Sequence, residues 1–347
     1  MKKFFLIAAA AIVAFASCSK NEAEVQKDKS ISFKSYAGRT ITKADANFFI
    51  PKTQTYLQKK SFGVYAYNTE STPFAGSVAN AKKFMTNQEV AFSGESAADA
   101  TDYTKYTYSP KKYWPNDEDN NLLTFWAYYP YDALTKGFEA NNFTAKKDPK
   151  QMVDLLLSDV KEDMTYSKAA GQGNVGIVPF TFHHALTMVK FFVKTGDDYT
   201  GTTITLNKLT VKGVKFEGTV TPAWASGNTT FTWATIGDAA DFDVCASDKA
   251  LTKNGAFFPT GVEVDDAYLM IPQGIDAVKA EIKYTVSNGS DDPVVNTVTV
   301  DLKTTAVTEW AMNKNVKYTF TVGLKPIEFT AVVTDWDTEV EAGISVE

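Results

Sequence analysis

Apolar and polar residues alternate along most of this chain in short runs bounded by Gly, Pro, Asn and Asp, the period-two pattern of strands that bury one face. Residues 206–214 begin as such a strand, and the Thr-Thr-Phe-Thr-Trp run at 229–233 continues the style. The clearest hairpin joins residues 281–286 to 294–300 through a connection holding Asn288, Gly289 and Pro293. Asn-Gly reaches positive φ at low steric cost, so this turn has a mechanism. Residues 316–322 and 327–336 form a further strand pair around Gly323 and Pro326. Helical periodicity is nearly absent. Residues 150–164 are the one candidate for a short helix, and Leu155-Leu156-Leu157 within them fits a buried strand equally well. Small, glycine-rich residues 169–176 precede a new apolar run at Ile177 and read as a domain break. The expected fold class is all-β, as two tandem β-sandwiches over residues 30–176 and 177–347. The abundance of Thr, Val, Tyr, Phe and Trp agrees with strands, and a chain of this length suits two domains.

The N-terminus departs from this alternation. Lys2 and Lys3 precede an unbroken apolar run at residues 4–16, which ends at Ser17-Cys18. A basic start with so short an apolar core fits a secretory signal and falls short of a bilayer core of ~30 Å. Small Ala16 and Ser17 before Cys18 mark a lipoprotein cleavage site, although Phe15 stands where an aliphatic residue is usual. Residues 1–17 are thus read as a signal peptide, with Cys18 taking lipid and opening the mature chain. Ordinary secretion with an incidental cysteine is the alternative. Residues 18–29 are polar and without periodicity, a flexible lipidated tether. The net charge of -6 argues against nucleic acid or anionic lipid as a partner.

Catalytic and metal readings find little support. With Cys18 committed to lipid, Cys245 is left alone, more in keeping with a small core residue than a nucleophile. His183 and His184 are adjacent, so on a strand they point to opposite faces and cannot chelate one metal together. Asp117, Asp119 and Asn121 match the start of a calcium loop, but Leu122 replaces its Gly and Tyr128 its bidentate Glu. No phosphate loop, nucleophile elbow or Cys-x-x-Cys occurs, so neither enzymatic activity nor a cofactor is expected.

Several word-like motifs stand in order along the strands. Lys111-Lys112-Tyr113-Trp114-Pro115 is followed by residues 123–130, Leu-Thr-Phe-Trp-Ala-Tyr-Tyr-Pro, and then by 178–186, Val-Pro-Phe-Thr-Phe-His-His-Ala-Leu. Tyr268-Leu269-Met270-Ile271-Pro272-Gln273 comes next, then Trp310, the Tyr318 to Val322 strand, and Val333-Thr334-Asp335-Trp336. On a lipoprotein signal, this ordered set closely resembles the fimbrillin family of Bacteroidales surface proteins, the type V pilins, over roughly residues 30–337. After Trp310 relatives often carry a Gly where this chain has Asn313-Lys314-Asn315. Asn tolerates left-handed backbone, so the turn survives.

The resemblance implies two transthyretin-like β-sandwich domains, export to the outer membrane as a lipidated precursor, and display at the cell surface in a fimbrium. It also implies assembly with other fimbrial subunits for adhesion. A protease cuts after a basic residue in the loop following the first strand, and the lost strand leaves a groove for a neighbour's strand. Arg39, the only arginine in the chain, follows the strand-like residues 30–36 and is the candidate, with cleavage before Thr40. Lys43 is a rival site, and an ordinary loop cation is the plain alternative. The candidate donor is the C-terminal strand with Ile327, Phe329, Ala331 and Val333 on one face, followed by the tail to Glu347; the same residues could instead close their own domain. The competing reading is a monomeric surface glycan-binding lipoprotein, motivated by Tyr103, Tyr106, Tyr108, Tyr113 and Trp114 and by Trp224 and Trp233. An anchor or tip subunit is a third. The surface ligand is not named by the sequence.

Overall fold

A computed structural model describes residues 29–37, 61–94, 102–137, 139–225, 228–259, 267–324 and 328–336. The first part of the chain supplies β1 (Ser32–Ala37), β2 (Phe62–Asn68), β3 (Lys82–Phe92), β4 (Tyr106–Thr107), β5 (Leu123–Tyr129), β6 (Asn141–Thr144), β7 (Leu156–Ser158) and β8 (Lys161–Met164). A short helix α1 (Tyr166–Gly171) and β9 (Ile177–His184) follow. One sheet runs in the order β1-β9-β7-β5-β2-β3-β4, with β8 also paired to β5. Its pairs are antiparallel except β1 with β9, which is parallel.

The strands β2 and β5 are buried almost end to end. Phe62, Val64 and Ala66 join Leu123, Phe125, Ala127 and Tyr129 in one core, while Tyr65, Tyr67, Trp126 and Tyr128 enter a second, larger core. Alternate side chains therefore face two apolar layers, which is why these segments read as continuous apolar runs. Gly63 gives Tyr128 room, because a Cβ there would lie 2.3 Å from the ring.

The remaining strands are β10 (Thr187–Thr195), β11 (Thr203–Val214), β12 (Glu217–Ala225), β13 (Asn228–Ile236), β14 (Ala240–Cys245), β15 (Lys249–Ala250) and β16 (Ala256–Phe258). Then come β17 (Tyr268–Met270), β18 (Gln273–Gly274), β19 (Lys279–Ser287), β20 (Val294–Asp301), β21 (Glu309–Trp310), β22 (Lys314–Val322) and β23 (Glu328–Asp335). A sheet β16-β10-β22-β23 faces a sheet β14-β11-β19-β20. Inward residues Phe191, Val193, Tyr318 and Phe320 of the first meet Leu206, Leu209, Val211 and Ile282 of the second in the larger core. Trp310 donates its indole N–H to the Tyr318 hydroxyl at 3.0 Å within that core. A small sheet β13-β12-β6 links the two parts, since β6 comes from the first.

Several expectations meet the structure directly. The hairpin pairs Val286 with Val294 and Lys279 with Asp301, and Gly289 takes φ 77°. The strand from Leu206 keeps its direction but changes phase at a bulge at Asn207 and again before Val214, so Leu206, Leu209 and Val214 all point inward. The candidate helix at 150–164 is replaced by β7 and β8. Leu155 and Leu157 enter one core and Leu156 the other, a division a strand achieves and a helix face does not. The helix forms just afterwards, where the Thr165 hydroxyl accepts from Lys168 N–H as its N-cap. The glycine-rich stretch is followed by β9, which pairs with β1 and β7, so the first sheet extends to His184. Gly63→Ala is expected to lower stability by about 1–3 kcal/mol through overpacking against Tyr128, measured as a lower denaturant midpoint at unchanged slope.

Candidate functional site

Strand β1 lies at the edge of the first sheet, with Ser32 opposite Ile177 and Ala37 opposite Phe182. Its alternation is complete. Ile31, Phe33 and Ser35 are fully buried, while Ser32 and Lys34 are half-buried. The Phe33 ring stacks on Phe180 at 5.7 Å between centroids and meets Tyr108 at 5.3 Å and the edges of Phe62 and Phe125. Polar anchors flank it. The Ser35 and Tyr106 hydroxyls lie 2.6 Å apart in a buried hydrogen bond, and the Tyr108 hydroxyl donates to the Ile31 carbonyl at 2.8 Å. Burial pushes the Tyr108 pKa up to about 12.

The entry to β1 is held by backbone. Ile31 N–H donates to Lys112 C=O, Trp114 N–H to Lys29 C=O, and Ser32 N–H to Gly176 C=O, each at 2.9 Å. The Gly176 carbonyl also accepts the Trp114 indole N–H at 3.2 Å. Gly176 has φ +68°, and a Cβ there would press to 3.1 Å from the Ser30 carbonyl. The glycine-rich stretch thus forms the turn on which β1 rests.

The described candidate donor residues, Phe329, Ala331 and Val333, lie in β23. This strand is the antiparallel edge partner of β22, with Phe329 opposite Phe320, Ala331 opposite Tyr318 and Val333 opposite Val316. Phe329 stacks on Phe320 at 5.9 Å, yet Phe329 and Ala331 remain half-buried and Val333 is 36% exposed. Just beyond, the Trp336 ring lies flat on His184 at 4.0 Å with 12° between the planes, and its backbone N–H donates to Asn313 C=O. Asn313 takes φ 60°, the left-handed turn that its residue type tolerates. The His184 Nδ1 lies 2.9 Å from an Asp154 oxygen, whereas His183 Nε2 lies 2.9 Å from Asp159. The two histidines therefore serve separate carboxylates. Cys18, Arg39, Thr40, Lys43 and Ile327 lie outside the described residues.

The aromatic set behind the glycan reading is divided. Tyr106, Tyr108 and Trp114 are buried in the β1 core, while Tyr103 and Tyr113 are 48% and 42% exposed. Trp233 is partly buried against the larger core. Cys245 is buried and its thiol pKa raised by that burial, which disfavours the thiolate. Around Asp117, its carboxylate and carbonyl accept from Asn120 and Asn121, closing a turn. The residues that sequence reasoning missed are Phe62, Phe125, Phe180 and Gly176 around β1, and the His184 seat for Trp336. Alternation at Val178, Phe180 and Phe182 marks a strand face but does not reveal what that face touches.

The fimbrillin-like family model matches residues 20–336 of this chain. Among solved structures, a fimbrial protein from Bacteroides vulgatus superposes with a TM-score of 0.60 at 19% identity, covering 88% of this chain and 99% of that one. A candidate cell adhesion protein from Bacteroides uniformis gives a TM-score of 0.52 at 15% identity, covering 89% of this chain and 100% of that one. At such identities the likeness is one of fold. No curated protein matches this chain in sequence.

Phe33→Ala is expected to destabilise the first core by about 3–5 kcal/mol, read from equilibrium denaturation. Trp336→Ala is expected to speed amide exchange across β23 while leaving β1 protected, measured by hydrogen-exchange mass spectrometry. Tyr108 ionises ordinarily near 10 and at about 12 in the folded chain. Its contribution is therefore complete below pH 10 and is lost as pH rises towards 12, so Tyr108→Phe should flatten the alkaline limb of the stability curve.

Proposed function

Because the chain belongs to the fimbrillin-like family, we propose that it is a structural subunit of a fimbrium at the cell surface. In this reading it is exported as a lipoprotein through Cys18, cut between Arg39 and Thr40 (or after Lys43), and polymerised by exchange of strands between copies or with other fimbrial subunits. Its sheets are assigned to two transthyretin-like sandwiches, with the chain passing from one to the other at Ala185-Leu186. Its role is adhesive and structural, not enzymatic.

The observation that carries the reading is the state of β1. Its inward side chains Ile31, Phe33 and Ser35 fill the first core, and from Ser32 to Ala37 its ladder among the described residues is with β9, while the residues just before it also bond to Lys112 and Trp114. Its loss would leave an apolar groove and the unpaired backbone edge of β9, each unfavourable in water. An incoming strand restores both by backbone pairing and apolar burial. Such a contact is head to tail, so it grows a filament instead of closing a dimer. The buried positions of Tyr106, Tyr108 and Trp114 favour this over the glycan-binding alternative, which would need those faces in solvent.

Purified unlipidated protein treated with an arginine-specific protease should acquire a new N-terminus at Thr40 and a ladder of detergent-resistant oligomers, and Arg39→Ala should abolish both. Clean cleavage without oligomers would point to a tip subunit or a missing partner. Resistance to cleavage would favour an anchor or a monomeric binding protein.

A further inference from the structure

The structure assigns the cleft on the open flank of β6 to an extended peptide segment of a partner protein, held by main-chain pairing with Asn142 and Thr144 and by an apolar side chain seated on Met152 and Leu269. This goes beyond the subunit role and does not rest on it, since no residue of β1, β9 or β23 lines the cleft.

The cleft has a volume of about 440 Å³, within the range of specific ligand sites. Residues 142–146 form one wall, Pro130 to Ala133 form another, and buried Met152 and Leu269 supply apolar surface. Strand β6 ends the sheet β13-β12-β6, so among the described residues one of its flanks has no strand beside it. No residue of β12 lines the cleft, which therefore lies on that open flank. The phase of the ladder fixes which backbone groups face it. Ala145 N–H donates to Phe216 C=O at 2.8 Å, which turns the odd-numbered residues towards β12. Bonded flanks alternate along an antiparallel ladder, so the N–H and C=O of Asn142 and Thr144 point into the cleft. Such an edge is a template for an added strand.

A second main-chain group at the cleft tells the same story. Leu269 N–H of β17 donates to the Met152 sulfur at 3.1 Å, a weak acceptor where a ladder would supply a carbonyl. The wall across from β6 is already fixed. Asp132 takes φ 65°, its N–H donates to the Tyr128 hydroxyl at 3.2 Å, and Tyr131 N–H donates to Ser61 C=O at 2.7 Å. A wall ordered in advance lowers the entropy lost on binding.

Side-chain direction selects the occupant. Asn142 and Thr144 are exposed, whereas Ala145 is buried and Phe143 half-buried. A strand laid beside β6 shares its pleat, so partner residues opposite Phe143 and Ala145 turn inward to Met152 and Leu269, and those between them stay in water. The occupant is therefore a strand-like segment with an apolar residue at every second position. A saccharide has no main chain with which to complete the ladder.

Amide exchange followed by NMR in the uncleaved protein tests this, with the blocked peptide Ac-Thr-Val-Thr-Val-Thr-NH2 as probe. The peptide should slow exchange at Asn142 and Thr144 and leave Ala145, already bonded to Phe216, unchanged. Thr144→Pro removes one outward N–H at a position where an edge strand tolerates the ring. It should weaken binding of the labelled peptide about tenfold in fluorescence anisotropy, while Thr144→Ala binds like the unaltered protein. A folded proline variant that binds undiminished would overturn the proposal. So would exchange at Asn142 and Thr144 that stays unslowed at millimolar peptide, a result that needs no variant. Protection of the same amides without peptide, growing with protein concentration, would place a second copy in the cleft and overturn the partner assignment. None of these outcomes bears on cleavage at Arg39 or on the oligomer ladder, so the subunit role stands or falls separately.

Discussion

Burial of both faces of β2 and β5 is the constraint on which the rest of this structure depends. With even-numbered residues of β2 and odd-numbered residues of β5 in one core and their neighbours in the other, neither face of the central sheet can be left to water. One face is covered by segments bearing Tyr108, Trp114 and Ala169, and the other by residues of the two facing sheets of the second part. The small sheet β13-β12-β6 follows from the same need, because β6 leaves the first part to pair with β12 and brings Phe143 against Trp233. The two parts of the chain are therefore joined through shared apolar packing as well as through the crossing at Ala185-Leu186.

Strand β9 connects this architecture to the proposed assembly. Its first six residues carry β1, and its last, His184, carries the Trp336 ring that ends β23. One strand thus touches both β1 and the residue that follows β23. Edge strands such as β1 and β23 can leave a sheet without interrupting the pairs at its centre, whereas loss of β5 or β22 would divide the ladder. The Lys314–Asp335 ion pair adds little to keeping β23 at home, since both side chains are substantially exposed. Aromatic contacts decide where that strand sits.

Much of the strand content was legible because turn chemistry and alternation are local. The hairpin at 279–301 follows from Asn288-Gly289 and from period-two patterning on either side. Reading failed where burial is two-faced or phase is broken. Leu155-Leu156-Leu157 is ambiguous in sequence because a strand shared by two cores has no polar face to alternate. The bulge at Asn207 shifts the inward set by one residue, which looks like lost alternation until the pairing partner is known. The glycine-rich stretch has the composition of a linker, yet Gly176 serves a strand more than a hundred residues away.

The sequence by itself determined the all-β class, the family and the lone Arg39, since these are properties of residue type and order. Only the tertiary structure decided that β1 is an edge strand, that Phe33 is walled by Phe62, Phe125 and Phe180, and that Trp336 rests on His184. The division is physical. Alternation and turn propensity act between neighbours along the chain, whereas the partners of an edge strand are chosen by packing among segments far apart in sequence.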